Sequence, residues 1–378
     1  MQHTQSEFIY DNSDNKIFEN NTVLSSEKPL RTYATEWSYD FGDQLKIITQ
    51  AVGTPDERTT MLTYNAYGDL SQKLQPGFKE PIIYRYNDQG QLISLSYQEA
   101  KNAKISHQLS YDNKGNIKEV KIGSTHTLKF EIDTNKQLLS ETVQDEWGSY
   151  TVSCTHNGEG LIKTLNLPDG SWVEYFYEGP FVKDVSRFTK EKKEFYSYRI
   201  ASRDQMGHSL EEVLIGFVGG RKQSWDLAAR RTEIATDLFK DRVPEGGYDP
   251  LQNMRKRETI LDGKKSIAEY EYNALSQLIS EKGEIKHRYS YDSLGNRLQR
   301  DGSSYTVNDL NQLLEAEGIS YTFDLNGNLA IKTVGEKTWI YQSNPLNQLI
   351  SIKDPDENTI TFTYDLSGKR RVCCITQL

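Results

Sequence analysis

Residues 64–70 read YNAYGDL, residues 86–92 YNDQGQL and residues 111–117 YDNKGNI. The phrase returns as YDSLGNR at 291–297, FDLNGNL at 323–329 and YDLSGKR at 364–370. Its ideal form is Tyr-Asp-x-x-Gly-x-Leu. It recurs about every 22 residues, inside the range of roughly 20–50 that marks a repeat architecture. The residues that define it are Tyr64, Asn65, Gly68 and Leu70; Tyr86, Asn87, Gly90 and Leu92; and Tyr111, Asp112 and Gly115. Later copies supply Tyr291, Asp292 and Gly295; Phe323, Asp324, Gly327 and Leu329; and Tyr364, Asp365 and Gly368.

These copies fix a phase, and weaker ones fall into it at Tyr10, Tyr39, Ile132, His156, Tyr177, Arg203, Trp225, Tyr248, Tyr272, Val307 and Ser343. Of the seventeen phrases, sixteen have Asp or Asn second; the exception is Glu178. An aromatic residue often stands two places earlier, as at Tyr84, Tyr175, Tyr270, Tyr289, Tyr321 and Phe362. Residues two apart on a strand share a face, so each phrase should begin where a strand with an aromatic face ends. Asp or Asn then folds onto the backbone and opens a turn. Gly supplies the positive φ that the turn needs. Asn311 and Asn347 stand in for it, because Asn tolerates the left-handed region. Leu restarts the next strand.

Each phrase is therefore expected to be a hairpin corner, and each repeat two strands, roughly 34 in all. Open sheets rarely exceed about 10 strands before curling. The expected fold is all-β: a β-hairpin solenoid that coils into a spiral or a partial hollow shell. The repeats span the chain from Tyr10 to beyond Tyr364 without a linker, so residues 1–378 are expected to form one segment. Trp225 to Val243 has helix-like apolar spacing at Leu227, Ile234, Leu238 and Phe239. The repeat phase places corners at Trp225 and Tyr248, which favours strands.

Composition narrows the function. The formal net charge is −9, from 45 Lys and Arg against 54 Asp and Glu. Such a balance argues against nucleic acid as a partner. Apolar content is 36%, yet there are 23 Tyr. A Tyr ring packs while its hydroxyl reaches a polar group, which suits a thin, half-wetted β-structure. No apolar h-region opens the chain and no apolar run approaches membrane-spanning length, so neither a signal peptide nor a membrane helix is expected.

The residues that could carry chemistry are few. None of the histidines makes an HxxxH or HExxH spacing, and His156 occupies the aromatic place of a repeat. Cys154, Cys373 and Cys374 match no disulfide framework or zinc site. The Asp residues recur once per repeat, whereas a catalytic pair would be singular. Gly219-Gly220 and Gly246-Gly247 lack a phosphate-loop context. No catalytic, cofactor-binding or metal-binding residue is expected.

The phrase, repeated from about Tyr10 to Arg370, resembles the YD-repeat family. That family includes bacterial Rhs proteins, the C component of Tc toxins and the YD shell of teneurins. The resemblance implies a non-enzymatic scaffold, part of a β-shell that encloses or displays another polypeptide in toxin delivery or at a cell surface. It also implies a secreted or cell-surface setting. At 378 residues the chain would be a truncated or partial member, with no separate toxin or plug domain. Bacterial members usually end their repeats in a DPxG-type signature that undergoes autoproteolysis. Here Asp354-Pro355 is followed by Asp356-Glu357, and a simple turn is the alternative reading. The rival function is a carbohydrate-binding or adhesion module that uses Tyr- and Trp-rich strands.

Overall fold

The computed structural model describes residues 3–24, 31–99, 104–215, 219–292 and 294–376. The chain is all-β. Thirty-four strands run from His3–Tyr10 to Arg370–Thr376, and no helix occurs among the described residues. The stretch with helical spacing is Gly219–Trp225, Arg231–Ala235 and Phe239–Arg242, three strands separated by turns. Turn chemistry at Asp226 outweighs the apolar spacing there.

The chain divides into two compact units. Unit 1 comprises residues 1–110, 120–125 and 289–378, and unit 2 residues 111–119 and 126–288. In unit 2, consecutive strands from His126–Ile132 to Leu278–Lys282 pair antiparallel. Unit 1 holds two such runs. One covers His3–Tyr10 to Lys104–Tyr111. The other ends at Arg370–Thr376.

Within unit 1 the corners of the late run lie on the strands of the early one. Ile82, Leu95 and Tyr97 are buried together, against Tyr84, Ile105, Leu346 and Leu366. Asn344 Nδ2 donates to Tyr97 Oη over 3.3 Å. The Asp309 amide donates to Asp56 Oδ2 over 3.1 Å. Pro345 is fully buried. This seam is the main apolar core of unit 1. Unit 2 buries a more polar set that includes Ser140, Ser186, Ser197, Glu212, Gln223, Glu258 and Ser280. Glu212 is held by Arg221 and Gln223, and Glu258 by Arg242 and Lys265. Buried carboxylates persist only when so paired.

Candidate functional site

The repeated corner is the feature that the sequence singles out, and it has one geometry. At Tyr64 the second residue, Asn65, donates its amide to the carbonyl of the sixth, Asp69, over 2.9 Å. The amide of the fifth, Gly68, returns to the carbonyl of Asn65 over 3.1 Å. Tyr64 pairs with Leu70, one register step out of line with the strand behind it. This is a β-turn over residues two to five, extended by a left-handed residue that makes a bulge.

Sixteen of the seventeen phrases form it, with the same two amide bonds. The seventeenth does not. Tyr177 pairs with Val182, and Glu178 pairs with Phe181 across Gly179-Pro180. Pro180 stands fourth, the third place of the turn, where proline is disfavoured because it forces the residue before it out of the helical region. Three further corners escaped the pattern, with second residues Leu167, Thr189 and Asp354. Leu167 and Thr189 depart from Asp or Asn. Asp354 lies only ten residues after the previous second residue, Asn344.

The second side chain explains the preference for Asp or Asn. Asn65 Oδ1 accepts the amides of Tyr67 and Asp69, both at 2.9 Å. Asp112, Asp292, Asp324 and Asn87 do the same at their own corners. The hydrogen bond from the Asn116 side chain, then that from its backbone, hold the Asp112 carboxyl below its ordinary range. Asp354 is held low chiefly by the Asn358 side chain. A lowered folded-state value means that this support is present at neutral pH and is lost as pH falls through the lowered range.

The fifth residue has positive φ at every one of the nineteen corners. It is Gly at nine, including Gly68, Gly90, Gly115, Gly295, Gly327 and Gly368. At Ala229 φ is +59°. The left-handed region costs a non-glycine residue about 1–2 kcal/mol, and the freedom of Gly in the unfolded chain returns about 0.5–1. Ala229→Gly is therefore expected to stabilise unit 2 by roughly 0.5–1 kcal/mol, read from denaturant midpoints. A lower midpoint would contradict the strain.

Two roles were not legible from the phrase. The first concerns the Tyr hydroxyl. Tyr64 Oη donates to the carbonyl of Leu45 over 2.8 Å, Tyr86 to Leu70 over 3.0 Å and Tyr364 to Leu349 over 2.7 Å. The acceptors are the seventh residues of the phrases that begin at Tyr39, Tyr64 and Ser343. Trp225 Nε1 makes the equivalent bond to Ser209 O at 2.9 Å, and Cys154 Sγ a similar one to Leu138 O at 2.8 Å. Tyr364→Phe should cost about 1 kcal/mol, the net worth of one neutral hydrogen bond. Thermal melts of the two proteins check it, and coincident melts would refute it.

The second role belongs to the sixth residue, Asn or Gln at twelve of the nineteen corners. At several of these its amide reaches the fifth residue of the next corner. Gln44 Nε2 donates to Gly68 O at 3.1 Å, Asn296 Nδ2 to Asn311 Oδ1 at 2.9 Å and Asn328 Nδ2 to Asn347 Oδ1 at 3.2 Å. Successive corners are thus stitched together. The enrichment of Asn and Gln at that place is the signal that was available.

The other chemically capable residues are engaged or isolated. Cys154 is buried, and desolvation pushes its thiol up, away from reactivity. The side chain of Cys373 lies outside the described residues, and Cys374 is exposed. Asp354 Oδ1 accepts the amides of Asp356 and Asn358 within its corner. Among the described residues no group of His, Cys, Asp and Glu is arranged to hold a metal.

Residues 243–373 match the teneurin YD-shell family. Two bacterial nucleases share 33% identity with 109 residues: tRNA nuclease WapA of Bacillus subtilis and tRNA3(Ser)-specific nuclease WapA of Bacillus spizizenii. That stretch is 26% of this chain and 5% of either relative. In fold, the chain is similar to TcdB2-TccC3 with a TM-score of 0.63 at 15% identity. It is also similar to the Photorhabdus luminescens Tc holotoxin pore with the TccC3-D651A mutation, with a TM-score of 0.58 at 13% identity. These alignments cover 96% and 98% of this chain and about a quarter (24% and 23%) of the chains they match. The family match thus covers the last third of the chain, and the similarity of fold to the Tc-toxin structures covers nearly its whole length. No helix of the described residues is long and apolar enough to cross a membrane.

Proposed function

We propose that this chain is a non-enzymatic scaffold, one segment of a YD-repeat shell that encloses or displays another polypeptide. The observation that carries this reading is the state of the corner Asp and Asn residues. Their side chains are consumed by the amides of their own turns, so the most repeated polar groups in the chain build the wall and are not free for catalysis. The fold shared with the Tc-toxin structures supports the same reading.

The strand His3–Tyr10 pairs with Lys16–Leu24, and its other edge is unpaired among the described residues. Phe8, Ile9 and Tyr10 on it are exposed. Open edges and apolar patches recruit other chains. The purified chain at low micromolar concentration should therefore self-associate, or dissolve as a single species only with a polypeptide partner. Multi-angle light scattering is the measurement. A monodisperse 43.4 kDa species would remove the need for a partner.

One observation favours the carbohydrate reading as a second function. Tyr67, Trp147, Phe176 and Phe195 are exposed, and aromatic rings with one wet face suit sugar stacking. Glycan-array binding abolished by Tyr67→Ala or Trp147→Ala would support it, and an array without signal would reject it.

A further inference from the structure

His107 is a deeply buried polar group of unit 1. It is 2% exposed, and among the described residues neither ring nitrogen has a hydrogen-bond partner. Its strand, Lys104–Tyr111, places it directly opposite Leu95. Its ring stacks on Tyr97, with centroids 6.1 Å apart. Leu95 and Tyr97 form the early side of the seam, and Leu346 and Leu366 of the late corners pack against it. A buried polar group without partners destabilises the state that buries it. An imidazolium in the same place would cost more, with two N–H donors and a charge to satisfy.

We propose that His107 makes the seam between the early strands and the late corners of unit 1 an acid-sensitive latch: closed while the ring is neutral, and released when it takes a proton.

The ionisable groups around the ring decide the sign. Tyr97 is pushed up to about 12, chiefly by burial, and stays neutral throughout. Tyr84, nearby in the cluster, is raised for the same reason. Lys121, on the strand Ile117–Ile122, is exposed. Asp365 favours the charged ring, but burial is the larger effect and holds His107 below its ordinary range. Asp365 Oδ1 already accepts the Lys369 amide at 2.8 Å and the Ser367 hydroxyl at 2.7 Å. The open state therefore binds the proton more readily than the closed one. The stability that neutral His107 allows is present above about pH 6.5, and it falls as the pH drops from there towards the lowered value.

Glu99 opposes this. Burial raises its carboxyl, while its hydrogen bond to Asn344 lowers it. A raised carboxyl favours the closed state at low pH, and that contribution fades as pH rises. Glu99→Gln removes the opposing titration and leaves the His107 response alone.

The test is hydrogen exchange by mass spectrometry on the full chain at about pH 7.5 and about pH 5.5, corrected for intrinsic rates. Peptides covering 82–98 and 343–368 report the seam, and unit 2 peptides serve as the reference. In Glu99→Gln, seam exchange should rise roughly tenfold relative to unit 2 at the lower pH, and in the parent by less, because Glu99 opposes the opening. In His107→Leu the rise should vanish. Asp365→Asn, a replacement already found at the second place of other corners, should move the opening to higher pH. If His107→Leu does not fold, the Asp365→Asn shift decides the matter. Equal pH responses in the parent and His107→Leu would overturn the latch. So would an unshifted midpoint in Asp365→Asn.

Discussion

Ile82→Ala should lower the stability of unit 1 by about 2–5 kcal/mol, the usual scale for emptying a fully buried aliphatic site. Ile82 is 2% exposed and lies where early strands meet late corners. The surrounding Leu95 and Tyr97, Leu346, and Leu366 come from three separate segments. A cavity there cannot close by moving one hairpin. Hydrogen exchange should locate the loss in peptides covering 82–98 and 343–368, with unit 2 unaffected. A change within about 0.5 kcal/mol, as for a surface substitution, would show that the seam contributes little.

Asn344→Ala should cost about 3 kcal/mol, because buried polar groups left unsatisfied cost about 1–3 each. Asn344 is 2% exposed. Its Oδ1 accepts the amides of Leu346 and Gln348, both at 3.0 Å. Its Nδ2 donates to Gln348 Oε1 and to Tyr97 Oη. Truncation strands two amides, Gln348 Oε1 and the Tyr97 hydroxyl around a side chain that is 2% exposed. Asp11 performs the same local task at a more open corner. Asp11→Ala should cost clearly less, because solvent replaces what is lost there. Chemical denaturation of the two variants side by side separates the effects. Equal losses would mean that the turn alone matters and that the seam adds nothing.

The corners were legible because their causes are local. A second residue that accepts two amides, and a fifth that must adopt positive φ, are constraints within seven residues. Asp292, Gly295, Asp324 and Gly327 therefore announce themselves in the sequence. Where the phrase misled, the reason was also local. Pro180 falls at a turn place that proline disfavours, while Leu167 and Thr189 form the turn without the side chain that marks it. The sixth-residue amides were missed because their partners belong to the next corner, and a pattern read one phrase at a time does not relate the two.

The sequence by itself determined an all-β chain, its repeat period and the chemistry of most corners, because each rests on hydrogen bonds between near neighbours. Only the tertiary structure decided that residues 289–378 pack on residues 1–110 in unit 1. It alone turned Ile82, His107 and Pro345 from ordinary strand and turn residues into buried ones. Ile82 is an unremarkable apolar strand residue, and Pro345 occupies a turn place that proline favours. His107 carries no motif. Burial depends on which surfaces meet across some 250 residues of chain, as Tyr97 and Asn344 do at a separation of 247. That choice is made by the complementarity of surfaces that form only after the hairpins have folded.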